Sequence, residues 1–140
     1  MILDTNVISE IMRPVPDHNV VAWFDETVSE QRHITAITEA ELLLGISLMP
    51  IGKRRNEYAA AIARILSLET GNPILPFESA DATFFAEAMS TRRRAGRPLK
   101  ELDAQIAAIA LRRGLPIATR NVRDFEGCGV TLINPWDPAP

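Results

Sequence analysis

The chain has 140 residues, of which 46% are hydrophobic, 24% charged and 6% aromatic, with a formal net charge of −3, and this composition excludes disordered and fibrous classes. A chain of this length buries about two-thirds of its unfolded surface, so one domain spanning residues 1–140 is expected to fold without a metal or disulfide staple. The single cysteine, Cys128, has no partner in the chain, the opening Met1-Ile-Leu-Asp-Thr-Asn6 lacks the basic and apolar regions of a signal peptide, and no apolar run approaches the ~18 residues of a membrane helix, which predicts a cytoplasmic protein with no membrane span.

Met1 to Asp4 is a short apolar strand, and Thr5-Asn6 lead into a helix through Met12 that Pro14 and Pro16 close. Asp17 or Asn19 can cap a second helix, with Val20, Val21, Phe24 and Val28 at helical spacing, and Arg32 to Ala36 reads as a short strand. Thr38-Glu-Ala-Glu41 opens a third helix through Leu48, and Lys53 to Leu68 is a fourth, ended by Gly71, Asn72 and Pro73. Ile74 to Phe77 is the next strand, followed by helices over Ser79 to Ala95 and Leu99 to Arg113, stopped by Gly96 and Gly114. Pro116 to Thr119 is a strand, and a short turn leads to the last one, Val130 to Ile133. Short apolar strands alternating with helices predict an α/β fold with a short, mainly parallel sheet covered by helices on both faces. No internal repeat or linker is present.

Several carboxylates sit where a core residue or a plain cap would serve. Asp4 directly follows Ile2-Leu3, at the carboxyl end of a strand, where open α/β sheets place their ligands. Its alternative role is to cap the helix beginning at Val7, which Thr5 or Asn6 could do as well. Glu41 completes a capping-box pattern with Thr38, yet its helix neighbours are Leu44, Gly45 and Leu48, an apolar surface with open space at the glycine. Glu39 is a plain first-turn acid. Asp103 shares a stripe with Ile106, Ala107 and Ala110, and a buried carboxylate must be paired, hydrogen-bonded or metal-bound to stay charged; Arg113 or Arg120 are the candidate partners if the role is a salt bridge. Asn121 and Asp124 follow another strand end and can face the same crevice, or form an ordinary turn. Acids gathered without bases repel one another unless a divalent cation holds them, and an oxygen-only set without a His or Cys grouping selects Mg²⁺, or Mn²⁺, over zinc. His18 and His33 stand alone.

The charge is unevenly distributed: residues 1–91 hold 6 basic and 13 acidic residues, whereas 92–123 hold 9 basic and 2 acidic. Arg92, Arg93, Arg94, Arg97, Lys100, Arg120 and Arg123 are therefore candidates for holding a polyanion backbone, although a solvated basic helix face gives the same count. A separate surplus is apolar, since Leu42, Leu43, Leu44, Ile46, Leu48 and Met49 surround one helix, and Phe84, Phe85 and Met89 add to it. Such a helix is either central to the core or covered by another chain.

In the order Met1-Ile-Leu-Asp-Thr-Asn-Val-Ile-Ser-Glu10, Ala36-Ile-Thr-Glu-Ala-Glu-Leu42, Asp103-Ala-Gln-Ile-Ala-Ala108, Ile117-Ala-Thr-Arg-Asn121 and Asn134-Pro-Trp136, the chain resembles the PIN-domain family from end to end. Within it, the resemblance is to the VapC-like toxins of bacterial toxin–antitoxin pairs, most closely the FitB-type branch. The resemblance implies a PIN-like fold and a Mg²⁺-dependent ribonuclease with RNA as substrate, in which Asp4, Glu41 and Asp103 match the family's acidic metal ligands. It also implies a cognate antitoxin as partner and a homodimer. Asn6 and Thr119 match polar positions beside the acids. Asn121 stands where the family often has a fourth acid, so a second metal would bind more weakly unless Asp124 compensates.

Two other classes compete. Asp4-x-Asn6 partly resembles the start of an aspartate-nucleophile phosphatase, but no Asp-Asp pair occurs downstream. A non-catalytic binding module on the same fold is the other, favoured by the amide at Asn121. Gly52-Lys53 lacks the upstream glycine of a P-loop, and Gly127-Cys-Gly129 reads only as a turn.

Overall fold

The computed structural model describes residues 1–68 and 72–138. Three two-residue strands, β1 (Ile2–Leu3), β2 (Ile117–Ala118) and β3 (Leu132–Ile133), pair in parallel in that order, with Ile2 opposite Ile117 and Ala118 opposite Ile133. Because side chains alternate along a strand, Ile2 and Ile117 enter one apolar cluster while Leu3 and Ala118 enter another. On the first face lie α5 (Ala82–Arg94), α6 (Glu101–Arg113) and α7 (Val122–Phe125), packed through Ala88, Ile106, Ile109 and Phe125. On the second lie α1 (Thr5–Ile11), α2 (His18–Glu26), α3 (Ala36–Leu48) and α4 (Lys53–Leu68), packed through Val7, Ile8, Phe24, Leu42 and Ile62. The expected α/β architecture with helices on both faces is thus present. Among the described residues no helix is long and apolar enough to cross a membrane.

Several local expectations are corrected. The stretches Arg32 to Ala36 and Ile74 to Phe77 are not strands; they contribute single parallel bridges, His33 to Ile2 and Thr35 to Leu75. Pro73 and Pro76 flank Leu75 and cannot donate to a ladder, while α3 begins directly after Thr35. That early start also removes the Thr38–Glu41 capping box: Thr35 is the cap, accepting from the Thr38 N–H at 3.1 Å, which frees Glu41 from any capping duty. The turn expected after β2 holds the one-turn helix α7. A 3-10 turn at Ser79–Asp81 precedes α5, and α6 starts at Glu101, two residues later than expected. Gly71, expected to end α4, lies outside the described residues.

The C-terminal end of α6 is closed by Gly114, whose φ of +64° suits glycine and whose turn returns Leu115 N–H to Ala110 O at 3.0 Å. Beside it, Asp81 is 0% exposed and accepts from Arg112 Nε at 2.5 Å, Arg113 Nη1 at 3.1 Å and the Glu78 N–H at 2.7 Å. Burial alone would raise the Asp81 carboxyl; these donors outweigh it and hold it below the usual carboxylate range. Arg113 is therefore occupied here and does not partner Asp103.

Helix α3 is not a central core helix. Leu42 is buried, but Leu48 is 75% exposed, Leu43 and Leu44 are also exposed, and Ile51 beyond the helix is 91% exposed. Phe85 and Met89, by contrast, pack against the first-face cluster.

Candidate active site

Asp4 is placed by the β1–β2 pairing, in which its N–H donates to Ala118 O at 3.0 Å. The capping role is present and uses only one oxygen of the carboxylate. Asp4 caps α1, with Oδ1 accepting from the Thr5 N–H at 2.8 Å, while Oδ2 accepts from Asn6 Nδ2 at 2.8 Å and Thr119 Oγ1 at 2.7 Å. Thr119 donates its one hydroxyl proton to Asp4 and accepts from the Asn121 N–H at 3.0 Å, so the polar positions Asn6, Thr119 and Asn121 form one network around the first acid. Burial pushes the Asp4 carboxyl up, and Asp124 adds to that; the three hydrogen bonds only partly oppose it.

Glu41 reaches the same place from α3, with Oε1 accepting from Thr5 Oγ1 at 3.2 Å. Its carboxyl is raised by burial and by the charges of Asp4 and Asp103. Asp103, in the first turn of α6, is half-buried and has no hydrogen bond or ion pair among the described residues. Neither candidate arginine serves it, since Arg120 lies over Trp136. Burial first, then Asp4 and Asp124, push Asp103 up to about 6, with Lys100 and Arg92 opposing. Asp4, Glu41, Asp103 and Asp124 share a cavity of about 730 Å³ with Asn6, Asn121 and Lys100. Ser9 and Glu101 also line it and were not singled out from sequence. Ser9 had a legible signal, lying at i+4 from Thr5 on one face of α1.

These residues suit a hard divalent cation. Among the described residues no group of three or more His, Cys, Asp or Glu side chains is arranged to hold a metal ion as it stands. Mg²⁺ does not require such a cage, because it keeps several waters and is held by one or two carboxylates. A half-buried Asp103 without a partner, facing three further acids, meets that demand.

Part of the basic block has another role. Arg92 is 5% exposed and donates to the carbonyls of Arg97, Asp124 and Glu126 at 2.6–2.8 Å, so it braces α7 against α5 and is not available to a polyanion. Arg97 is exposed but engages Glu126 at 3.4 Å. Arg93, Arg94, Lys100, Arg120 and Arg123 are exposed. A second cavity of about 990 Å³, with Met12, Leu48, Met49, Ile51 and Tyr58 among its walls, meets the acidic one at Ser9, which lines both.

The sequence model of the PIN domain matches residues 1–127. A VapC ribonuclease of Sinorhizobium fredii is 37% identical over 139 residues, 99% of each chain. The toxin FitB of Neisseria gonorrhoeae is 40% identical over 137 residues, covering 97% of this chain and 98% of that one. Among solved structures, FitAB bound to an IR36 DNA fragment superposes with a TM-score of 0.92 at 35% identity, over 99% of this chain and 97% of that chain.

Proposed function

Since the chain belongs to the PIN-domain family, in the branch of the VapC ribonucleases and the FitB toxin, we propose that it is a Mg²⁺-dependent ribonuclease toxin acting on RNA and restrained by a cognate antitoxin. The observation that carries this reading is Asp103, a half-buried carboxylate facing other acids with no ion pair or hydrogen bond among the described residues. A structural role would have supplied an arginine, as Asp81 shows.

Asp4, Glu41 and Asp103 would hold the cation, with Asp124 or Asn121 completing the oxygen set. When bound, Mg²⁺, or Mn²⁺ in its place, supplies a Lewis acid that makes water a nucleophile near neutral pH and offsets charge developing on the phosphate. Asn6 and Thr119 fix the orientation of the Asp4 carboxylate, and the Thr5 hydroxyl does the same for Glu41. The hydrogen bonds that Asp4 accepts from the Thr5 N–H, Asn6 and Thr119 also leave it poorly placed as a phosphatase nucleophile. Lys100 at the cavity wall, with Arg93, Arg94, Arg120 and Arg123 outside it, would hold the RNA backbone, a contact that gives affinity without base choice.

The apolar groove fits an antitoxin segment, because a chain seated on Leu48 and Ile51 reaches the acids at Ser9, where one of its basic side chains would fill the carboxylate cluster. A homodimer would cover the apolar side chains outside the groove, Leu43 and Leu44. Incubation of purified protein with RNA should give cleavage that needs Mg²⁺, stops in EDTA and returns with Mg²⁺ or Mn²⁺. Undiminished cleavage in EDTA would overturn the reading. Light scattering on the same sample should report a dimer at micromolar concentration.

A further inference from the structure

Next to the acidic cavity a cation and an aromatic ring are stacked. The Arg120 guanidinium carbon lies 5.4 Å from the ring centre of Trp136, Arg120 is exposed, and it has no ion pair among the described residues. Its backbone is fixed to the site, because the Arg120 N–H donates to Asn6 Oδ1 at 3.1 Å while Asn6 Nδ2 holds Asp4. Trp136 is fixed as well. Its N–H donates to Asn134 Oδ1 at 3.2 Å, its carbonyl accepts from Asn19 Nδ2 at 3.0 Å, and its indole, half-buried, leans on the second-face core. A held indole therefore backs a cation whose surroundings are open, on a residue whose backbone is joined to the first acid through the Asn6 side chain.

Unpaired nucleic-acid bases stack on aromatic rings and on arginine planes, and the contact tolerates any base because each has a π face. We propose that Arg120 and Trp136 form a platform that stacks one unpaired base of the RNA substrate, beside the nucleotide whose phosphate lies in the acidic cavity. This rests on the ribonuclease reading and adds a requirement to it: the RNA must be single-stranded at that position, because a base held in a duplex cannot reach the platform. It refines the role of Arg120, from one charge among several along the RNA backbone to a base-stacking residue, whereas Lys100 and Arg93 offer charge alone.

The test uses short single-stranded RNA oligomers in which one nucleotide at a time lacks its base, binding to an Asp103→Asn background that does not cut them. In that background one abasic position should weaken binding about ten-fold, and Arg120→Ala or Trp136→Ala should weaken binding of the intact oligomer by a similar factor. Combined with either substitution, the abasic position should cost nothing more, whereas Trp136→Phe should keep most of the affinity. In the cleavage-competent protein, Arg120→Ala should raise KM with little change in kcat. Should Trp136→Ala fail to fold, the exposed Arg120→Ala decides. Oligomer binding and cleavage that are intact but equally sensitive to every abasic position, with or without Arg120, would overturn the platform alone; no binding or cleavage of any RNA by the unaltered protein would overturn the ribonuclease reading with it.

Discussion

At its first turn α6 carries Asp103, which has neither hydrogen bond nor ion pair among the described residues; about 14 Å along the helix axis, its last turn presents Arg112 and Arg113 to Asp81. Asp81 is the less exposed of the two carboxylates, yet it is held below the usual carboxylate range, while Asp103 is pushed up to about 6. Solvent exposure alone therefore does not set the ionisation; the donors within reach help decide it. Placing acids at the amino end and bases at the carboxyl end suits the helix dipole in both cases. What separates the two ends is that one acid is ion-paired by the chain, whereas the other has no ion pair or hydrogen bond among the described residues.

The sharpest way to break this comparison is to neutralise each acid in turn. Asp103→Asn should abolish RNA cleavage in Mg²⁺ while the protein melts no lower than wild type, and the control Glu39→Gln, two residues from Glu41 on α3, should leave cleavage unchanged. Asp81→Asn should do the reverse, destabilising the fold by roughly 2 kcal/mol, a moderate loss because Arg112 and Arg113 keep Glu78 as a second partner and part of their surface in water, and lowering the melting temperature by roughly 6 °C. Cleavage below that temperature should survive. Loss of cleavage in Asp81→Asn at a temperature where it is folded would show that the two ends are not independent.

A smaller effect should appear in the metal-free protein as a function of pH. The folded-state carboxyls of Asp103, Asp4 and Glu41 are raised above their unfolded values, so the native state binds more protons than the unfolded one between about pH 4 and 6. Stability is accordingly expected to rise as pH falls from 7 toward 4.5, and this site's share of the change should be absent once Mg²⁺ is bound. At pH 8 in EDTA, Asp103→Asn should melt above wild type by roughly 3 °C, about 1 kcal/mol after allowing for solvent screening at this half-buried position. A lower melting point than wild type would mean that Asp103 is a structural group after all.

The smallest effect concerns Asn121, whose side chain faces the cavity without charge. Asn121→Asp should lower the Mg²⁺ concentration at half-maximal cleavage, because an added anion strengthens attraction to the cation. An unchanged metal titration would point to Asp124 at the fourth position or to a one-metal site.

The three acids and the α/β architecture were legible because each acid breaks a local pattern: Asp4 ends an apolar strand, and Asp103 interrupts an apolar stripe. The beginning of α3 was not, since Thr35 and Thr38 offer the same capping chemistry one turn apart and only the arrival of the Leu75 bridge at Thr35 decides between them. Arg92 was misread for a related reason. A count of charges along the chain cannot distinguish a guanidinium spread over solvent from one folded back onto three carbonyls, and those carbonyls come from residues 97, 124 and 126. The strands were overextended because a short apolar segment such as Ile74-Leu75 looks the same in sequence whether it forms a ladder or a single bridge. The Arg120–Trp136 stack joins residues in the last quarter of the chain with no periodic pattern to connect them.

One feature of the sheet bears on synthesis. β1 has β2 as its strand partner, and the hydroxyl that steadies Asp4 belongs to Thr119, 115 residues further on. A nascent chain emerges amino end first. Until residue 119 is out it therefore displays Asp4 and Glu41 without the strand that fixes them, and until α6 is out it lacks Asp103 as well. Truncated products ending before residue 119 should be inert toward RNA, so the ribosome making such a protein is expected to meet its activity only after β2 and Thr119 have emerged and folded back onto β1.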